Sequence, residues 1–537
     1  MVKNKLYSSL DNAANQLRSK MDASEYKTYL LGIIFYKYLS DRSVEEIYKV
    51  KDDEDFKDLD SSTRLNFYRE MFAEYEEDVV YDLEATFKYA LRPEHTFDAL
   101  VESALGLGDE PFQLEVFAQA LRDIEQSSEE FEGLFSDVDL NSRRLGATRA
   151  KQSETIANTI VALSEVDFAG YSGDVLGDAY EYLIREFAMS AGQKAGEFYT
   201  PHEVSDLMAQ IIMSNNGMSE KRGLTTYDPT SGSGSLLLTM RNHNKFPKDI
   251  NYFGQELNTT TYNLARMNMI LHDVSVDNYT LNNGDTLDSD WPTDEPTDFD
   301  AVMMNPPYSA HWDNHTGLLE DPRFGKYGKL APKTKADYAF LLHGYYHLKQ
   351  SGVMAIVLPH GVLFRGGAEA TIRQKLLEDG AIEAVIGLPG GIFYSTDIPT
   401  TVLILRKDRV DRDVLFIDAS KLFKKEKSQN VMMPEHIQEI VDAYTERKFV
   451  DKFAYVADFD EIKENDFNLN IPRYVDTFEP EPEIDLRDVS AKINQTNTEA
   501  NDLKAELFDM MYGLVGNDDS SQEQLDGFLE SFEKELG

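Results

Sequence analysis

Between residue 166 and about residue 410 the chain alternates short β-rich runs with amphipathic stretches, and this alternation constrains the fold more than any other feature. The runs at 225–227, 251–255, 278–281, 301–304, 353–358, 384–388 and 401–405 read as strands. Helical stretches, such as 262–271 and 338–349, fall between most of them. Strands separated by helix-length segments predict a parallel sheet, because a parallel pair needs a crossover. Residues 1–165 read instead as mostly helical. Asp22-Ala23-Ser24-Glu25 has the acceptor-then-acid spacing of a capping box, and Tyr26, Tyr29, Leu30, Ile33, Ile34, Lys37 and Tyr38 follow near the helical period. The acid clusters Asp52-Asp53-Glu54-Asp55 and Glu74-Tyr75-Glu76-Glu77-Asp78 read as solvated.

Past residue 410 the pattern loosens. Glu479-Pro480-Glu481-Pro482-Glu483 reads as a stiff acidic linker. Beyond it Ile493, Ala500, Leu503, Leu507, Met510 and Leu514 form an apolar stripe at helical spacing. Such a stripe is either a packing face within the chain or a face for pairing with another subunit. The stretch 517–524 is polar and is predicted to be mobile. The organisation expected is a helical N-terminal domain (1–165), an α/β domain (166–475) and an acidic linker with a helical tail (476–537).

Three features of the α/β domain carry chemistry. Asp228-Pro229-Thr230-Ser231-Gly232-Ser233-Gly234-Ser235 lies where the first strand should turn into a helix, so glycines admit a ligand close to free backbone N–H groups. It is neither a GxGxxG fingerprint nor a P-loop. Glu256, 28 residues past Asp228 at the next strand end, is placed to accept ribose hydroxyls. Asp285 follows a further strand, and can accept from an adenine amino group or simply cap its own turn. The third feature is Asn305-Pro306-Pro307-Tyr308, directly after the apolar run 299–304. A Pro-Pro step is stiff and lacks N–H groups, so it aims carbonyls. The Asn305 side-chain oxygen and the Pro306 carbonyl can face the two hydrogens of a planar amino group, pull it toward tetrahedral geometry and free its lone pair. Tyr308 can stack on an extruded base. This is the chemistry of methyl transfer to a ring amine. Upstream, Gly196-Glu197-Phe198-Tyr199-Thr200-Pro201 opens a helix with Pro in its first turn.

Charge conflicts with a nucleic-acid substrate. Net charge is −43, from 96 acids against 53 bases, whereas duplex binders normally carry a basic face. Either a basic partner delivers the DNA, or the lining of the cleft is locally basic, or the substrate is not DNA. Cysteine is absent, which removes disulfides and cysteine-built zinc sites and suits a reducing cytoplasm. No run approaches the roughly 18 apolar residues of a membrane span.

The glycine turn with Asn305–Tyr308 resembles the amino-group DNA methyltransferases, and the 196–201 segment ahead of the turn resembles their gamma motif order, typical of adenine-N6 enzymes. Leu17-Arg18-Ser19-Lys20-Met21-Asp22-Ala23-Ser24-Glu25-Tyr26-Lys27, the stretch 31–41 and the stretch 358–367 are similar to the methylation (M) subunit of type I restriction-modification systems. The resemblance spans nearly the whole chain. It implies a Rossmann-like, mostly parallel seven-stranded sheet behind the helical domain, and S-adenosyl-L-methionine as cofactor. It implies that Asn305, Pro306, Pro307 and Tyr308 hold the target adenine. Asp228, Gly232, Ser233, Gly234 and Ser235 would line the methionine part, Glu256 would hold the ribose and Asp285 the cofactor adenine. Glu197, Phe198, Tyr199, Thr200, Pro201 and His202 would complete the pocket. Ser235 departs from relatives that carry glycine there. The implied partners are DNA, a specificity (S) subunit, a second M copy in an M2S1 complex and a restriction (R) subunit. Rival readings are methylation of a protein glutamine or of RNA, and a non-catalytic acidic DNA mimic. His311, Trp312 and His315 either touch DNA, cap the pocket or form a loop with a packed Trp.

Overall fold

The computed structural model describes residues 10, 12–15, 17–18, 23–49, 59–108, 110–164, 177, 180–184, 200–215, 217–393, 398–426, 429–477 and 485–536. The Asp22 cap, the Asp52–Asp55 cluster and the Glu479–Glu483 linker lie outside them. Two compact units are present, Met1–Asp476 and Thr477–Gly537.

In the first unit the strands are β1 (Thr225–Asp228), β2 (Asn251–Glu256), β3 (Tyr279–Asn283), β4 (Phe299–Met304), β5 (Leu348–Pro359), β6 (Ile382–Gly387), β7 (Thr400–Arg406), β8 (Val414–Asp418), a two-strand hairpin β9 (Lys424–Lys425) and β10 (Asn430–Val431), and β11 (Ala454–Ala457). Among the described residues nine of them form one sheet in the order β11-β8-β6-β7-β5-β4-β1-β2-β3. Seven make the expected core. β3, β2, β1, β4 and β5 run parallel, while β7 lies antiparallel between β5 and β6. β8 joins β6 in parallel and β11 closes that side antiparallel. These two were not anticipated, because Val414-Leu415-Phe416-Ile417 is too short an apolar run to identify without its neighbour β6.

Helices cover both faces. On one side α6 (His202–Met213) and α11 (Pro434–Glu446) pack on Ala301, Met303, Ala355, Ile386 and Ile404. On the other, α9 (Asp337–Tyr346) and α10 (Ala368–Glu378) pack on Val302, Met304, Met354, Ile356 and Leu403. A sheet covered twice explains why β4 and β6 are buried at every residue and are apolar on both faces apart from the ion-paired Asp300 and Glu383. The helix expected over 338–349 ends at Tyr346, and the chain is already β5 by Leu348. Lys349 reaches Asp300 and Thr225 Oγ1, each at 3.1 Å, so cross-strand pairing wins over local helical periodicity there.

The N-terminal helices are α1 (Ala23–Tyr48), α2 (Ser61–Phe87), α3 (Phe97–Ala104), α4 (Leu114–Glu125) and α5 (Arg149–Ser164). The Tyr26–Tyr38 periodicity is the buried side of α1. Their core takes in Met267 and Leu271 of α8 (Thr259–Leu271), the helix that follows β2. Polar ties reinforce this contact: Arg266 Nη1 donates to the Glu132 carbonyl at 3.0 Å, and the Tyr38 hydroxyl lies 3.2 Å from Asp273 Oδ1. The remaining helices are α7 (Ser235–Thr239), α12 (Phe459–Glu464), α13 (Leu486–Tyr512) and α14 (Asp519–Leu536). The stretch 517–524, expected to be mobile, mostly lies in α14, started by the Asp518 cap on Ser521 N at 2.8 Å. No helix among the described residues is long and apolar enough to cross a membrane.

Candidate active site

β1 delivers Asp228 to the carboxyl edge of the sheet, and the following turn leads into α7. Gly232 and Gly234 hold φ at 54° and 78°, a region that costs a residue with a Cβ. A Cβ on Gly234 would also press on Met269 Cε at 3.3 Å. Two contacts fix the turn against β2: Ser231 N donates to the Gln255 carbonyl (2.9 Å) and Gly232 N to Glu256 Oε2 (3.0 Å), while Asn258 N, donating to Glu256 Oε1 (2.8 Å), orients that carboxylate. The hydroxyls of Ser233 and Ser235 lie 2.9 Å apart, and Asn268 holds the Ser233 carbonyl. Asp228, Gly232, Ser233, Gly234, Ser235 and Glu256 are therefore one cluster.

That cluster holds two hydrogen-bonded acids that burial makes costly to ionise. Asp228 is 1 % exposed and accepts from Thr230 N and Oγ1. Burial pushes its carboxyl up to about 7, and the Glu256 charge adds to this. Burial raises Glu256 as well. Two desolvated acids beside an open glycine turn suit a ligand that brings positive charge. S-adenosylmethionine, with a sulfonium and an ammonium, fits this donor set.

A carboxyl whose pKa is raised by folding binds its proton more tightly in the native chain. Its stabilising contribution is full at low pH and is lost as pH rises from about 4 to about 7. We expect the ligand-free protein to lose thermal stability across that window, and Asp228→Asn to flatten the dependence in a pH series of melting curves. An unchanged slope in the variant would assign the dependence to other groups.

Asp285 sits exposed after β3, where its Oδ1 accepts from Leu287 N at 2.9 Å. The next residue is anchored twice: Thr286 Oγ1 donates to the Pro229 carbonyl (2.5 Å), and Arg323 Nη1 to the Thr286 carbonyl (2.9 Å). Sequence reasoning missed Arg323, which is 2 % exposed and pairs with Asp321 at 2.7 Å. It also contacts His343 Nδ1 at 3.1 Å. A guanidinium only donates, so His343 Nε2 carries the hydrogen toward the Tyr227 hydroxyl (2.8 Å), which donates to the Trp291 carbonyl (2.8 Å). Asp290, His343 and His347 offer ligand atoms within 4.8 Å of one another, yet Arg323 supplies the positive charge there, 3.7 Å from Asp290.

β4 enters the tetrapeptide. Asn305 is 8 % exposed; its Nδ2 donates to Thr200 Oγ1 at 3.2 Å and its Oδ1 accepts from the Tyr308 hydroxyl at 2.8 Å. The amide is thus held at both ends, and a carbonyl oxygen retains a second lone pair for another donor. Pro306 is buried and Pro307 half-buried. Tyr308 stands edge-on to Phe393, with centroids 6.1 Å apart. The loop exit is fixed by residues that carry no motif: Ser309, at φ 53°, donates its N–H to Asp337 Oδ1 at 2.8 Å, and Arg365 bridges Asp337 (2.8 Å) and Glu369 (2.9 Å). Thr200 and Pro201 are buried at the start of α6, and His202 is exposed. Glu197, Phe198 and Tyr199 lie outside the described residues. Trp312 is packed edge-on to Phe324 (5.6 Å), with Nε1 on the Pro332 carbonyl, while His311 and His315 are exposed.

Comparison with known proteins agrees with this geometry. The N-6 DNA Methylase family model matches residues 171–483, and the HsdM N-terminal domain matches 6–163. The chain is 34 % identical over 526 residues to the type I restriction enzyme MpnII methylase subunit of Mycoplasma pneumoniae, covering 93 % of this chain and 94 % of that one. It is 33 % identical to the MjaVIII methylase subunit of Methanocaldococcus jannaschii, over 93 % and 82 % of the two chains. The crystal structure of a type I restriction-modification methyltransferase subunit from Streptococcus thermophilus superposes with a TM-score of 0.84 at 56 % identity, covering 88 % of this chain and all of that one. With the motifs assembled at one sheet edge, these matches place the chain in the N-6 DNA methylase family, among the adenine-specific, S-adenosyl-L-methionine-dependent methylase subunits of type I restriction enzymes.

Proposed function

We propose that Asn305, Pro306, Pro307 and Tyr308 receive a flipped adenine, and that Asp228, Gly232, Ser233, Gly234, Ser235, Glu256 and Asp285 hold the cofactor, with 197–202 closing over it. The observation that carries this reading is the Asn305 amide, clamped between Thr200 and Tyr308 at the edge that also bears the glycine turn. S-adenosylmethionine supplies an electrophilic methyl group on sulfur. Asn305 Oδ1 and the Pro306 carbonyl accept from the adenine amino group, raise the electron density on its nitrogen and stabilise the positive charge that develops as the N–C bond forms. The methyl–sulfur bond would break as the N–C bond forms, leaving a neutral thioether, and one amino proton would pass to water. The chain's contribution is placement and fixed dipoles, with no covalent enzyme intermediate.

The target sequence is read by a specificity subunit, in a cytoplasmic complex with a second methylase copy and a restriction subunit. The strong acidity of the chain supports a partner that brings DNA to it. In Thr477–Gly537, Ile493, Leu503, Leu507, Met510 and Leu514 of the tail are exposed, which favours helix pairing with that partner. The domain limits proposed are 1–165, 166–475 and 476–537.

The test is transfer of labelled methyl to DNA with and without the co-expressed specificity subunit. Label on adenine N6 only with the partner present is expected. Label without it would mean that this chain reads DNA itself, and label on RNA or protein instead would overturn the substrate assignment.

A further inference from the structure

We infer that two lysine-bearing segments flanking Tyr308 form a phosphate clamp, through which this acidic chain itself grips the DNA backbone beside the flipped adenine; the inference rests on the substrate reading above. The chain carries 96 acids and 53 bases, yet residues 421–427 hold four lysines against one acid, and residues 311–336 hold five bases against three acids. Both stretches converge on the catalytic tetrapeptide.

The first lies on the Phe393 side. β9 and β10 pair antiparallel, Lys425 with Asn430 and Lys424 with Val431. Asn430 N donates to the Gly391 carbonyl (2.9 Å) and Asn430 Nδ2 to the Gly390 carbonyl (2.7 Å). The hairpin is therefore bolted to the loop whose Phe393 meets the Tyr308 ring. Lys424 and Lys425 are both exposed and, as successive strand residues, face opposite ways, so the ribbon carries a lysine on each face, Lys424 with Glu426 3.7 Å from its ammonium. The second segment lies on the Trp312 side and is folded back onto the motif: Ala336 N donates to the Ala310 carbonyl (2.9 Å), and Trp312 N to the Lys333 carbonyl (3.0 Å). That bond places exposed Lys333, with exposed Lys329 on the same segment, next to the chain leaving Tyr308.

The functional argument is charge balance. A chain at −43 repels a polyanion over most of its surface, so any approach of a phosphate backbone must be met locally. A solvated hairpin needs no such placement, whereas a base extruded toward Asn305 keeps its flanking phosphates at the mouth of this pocket. Lysines serve there as point charges without base readout, which leaves sequence choice to the partner subunit.

The test uses the complex with its specificity subunit. DNA KM for methyl transfer is measured across a salt series for wild type, for Lys424→Gln/Lys425→Gln and for Lys329→Gln/Lys333→Gln. The control is Lys245→Gln/Lys248→Gln, which lies just before β2 at the opposite end of the sheet. Each lost phosphate contact should lower the salt slope by about one, so the Lys424/Lys425 pair, whose members face opposite ways, should lower it by about one and the Lys329/Lys333 pair by about one to two. DNA KM should rise at fixed salt, with S-adenosylmethionine affinity, melting temperature and subunit assembly unchanged. The control should match wild type. Clamp variants with wild-type slope and KM would overturn the inference, as would loss of subunit assembly with the slope intact, which would make the hairpin a protein-docking surface. Absence of methyl transfer to DNA by the wild-type complex is a separate result, and sinks the substrate reading beneath it.

Discussion

Asn305→Ala should lower kcat for adenine methylation by about 10²–10³, the loss seen when one preorganised charge-stabilising group is removed. Cofactor affinity should stay close to wild type. The Asn305 side chain bonds Thr200 and Tyr308, not the glycine turn, so its removal leaves the Asp228–Glu256 cluster intact. Rapid-quench methyl transfer together with calorimetric titration of S-adenosylmethionine separates the two effects. Equal loss of turnover and of cofactor binding would refute this division of roles. Tyr308→Phe is the informative companion: it removes the 2.8 Å bond to Asn305 Oδ1 and keeps the ring, so it should fall between wild type and Asn305→Ala if fixing the amide matters.

The second large effect is expected from a residue outside every motif. Asp337 is fully buried and carries both the Ser309 N–H and the Arg365 guanidinium. Asp337→Ala strips Arg365 of one of its two carboxylates; because Arg365 is 19 % exposed and keeps Glu369, the loss should stay below the roughly 3–5 kcal/mol of breaking a fully buried pair. The substitution also frees Ser309, a non-glycine residue at φ 53° one step after Tyr308. Chemical denaturation should show the stability loss, and methyl transfer should fall in the fraction still folded. Asp337→Asn, which keeps an acceptor for Ser309 and loses the ion pair, should retain more turnover than Asp337→Ala. If both variants transfer methyl at the wild-type rate once corrected for folded fraction, the Asp337 brace is purely structural.

The contrast between Asn305 and Asp337 explains how much of this protein could be read beforehand. Asp228 and Glu256 end strands and Asn305 follows one, and a strand exit into a polar, glycine- or proline-bearing turn announces itself locally. The seven core strands were legible because their centres, such as 301–304, 353–358 and 384–386, are apolar on both faces where helices cover the sheet twice. Asp337 and Arg323 gave no such signal, and Thr200, named with its segment as part of the cofactor pocket, gave none of its bond to Asn305, since each acts on a partner distant in sequence. Thr200 meets Asn305 across 105 residues and Arg323 reaches Thr286 across 37. β8 and β11 were invisible because a five-residue and a four-residue strand exist only by pairing with β6 and with each other. The stretch 517–524 is the start of α14 and is polar; the Asp518 cap begins the helix there, and its apolar face, with Phe528, Leu529 and Phe532, comes only later.

Helix α8 belongs to two cores at once. Its Met267 and Leu271 are packed among the N-terminal helices, while Met269 is packed with the sheet and touches the glycine turn's side of β1. The N-terminal helices are therefore not an appendage hung on a catalytic domain. They finish the interior on the β1–β3 side of the sheet, and α8 starts only three residues beyond Glu256. The helical lobe acts as a buttress: cutting it away would lay bare the apolar side of α8 that carries Met267 and Leu271, so the sheet and the helical lobe should be expressed and folded as a single piece.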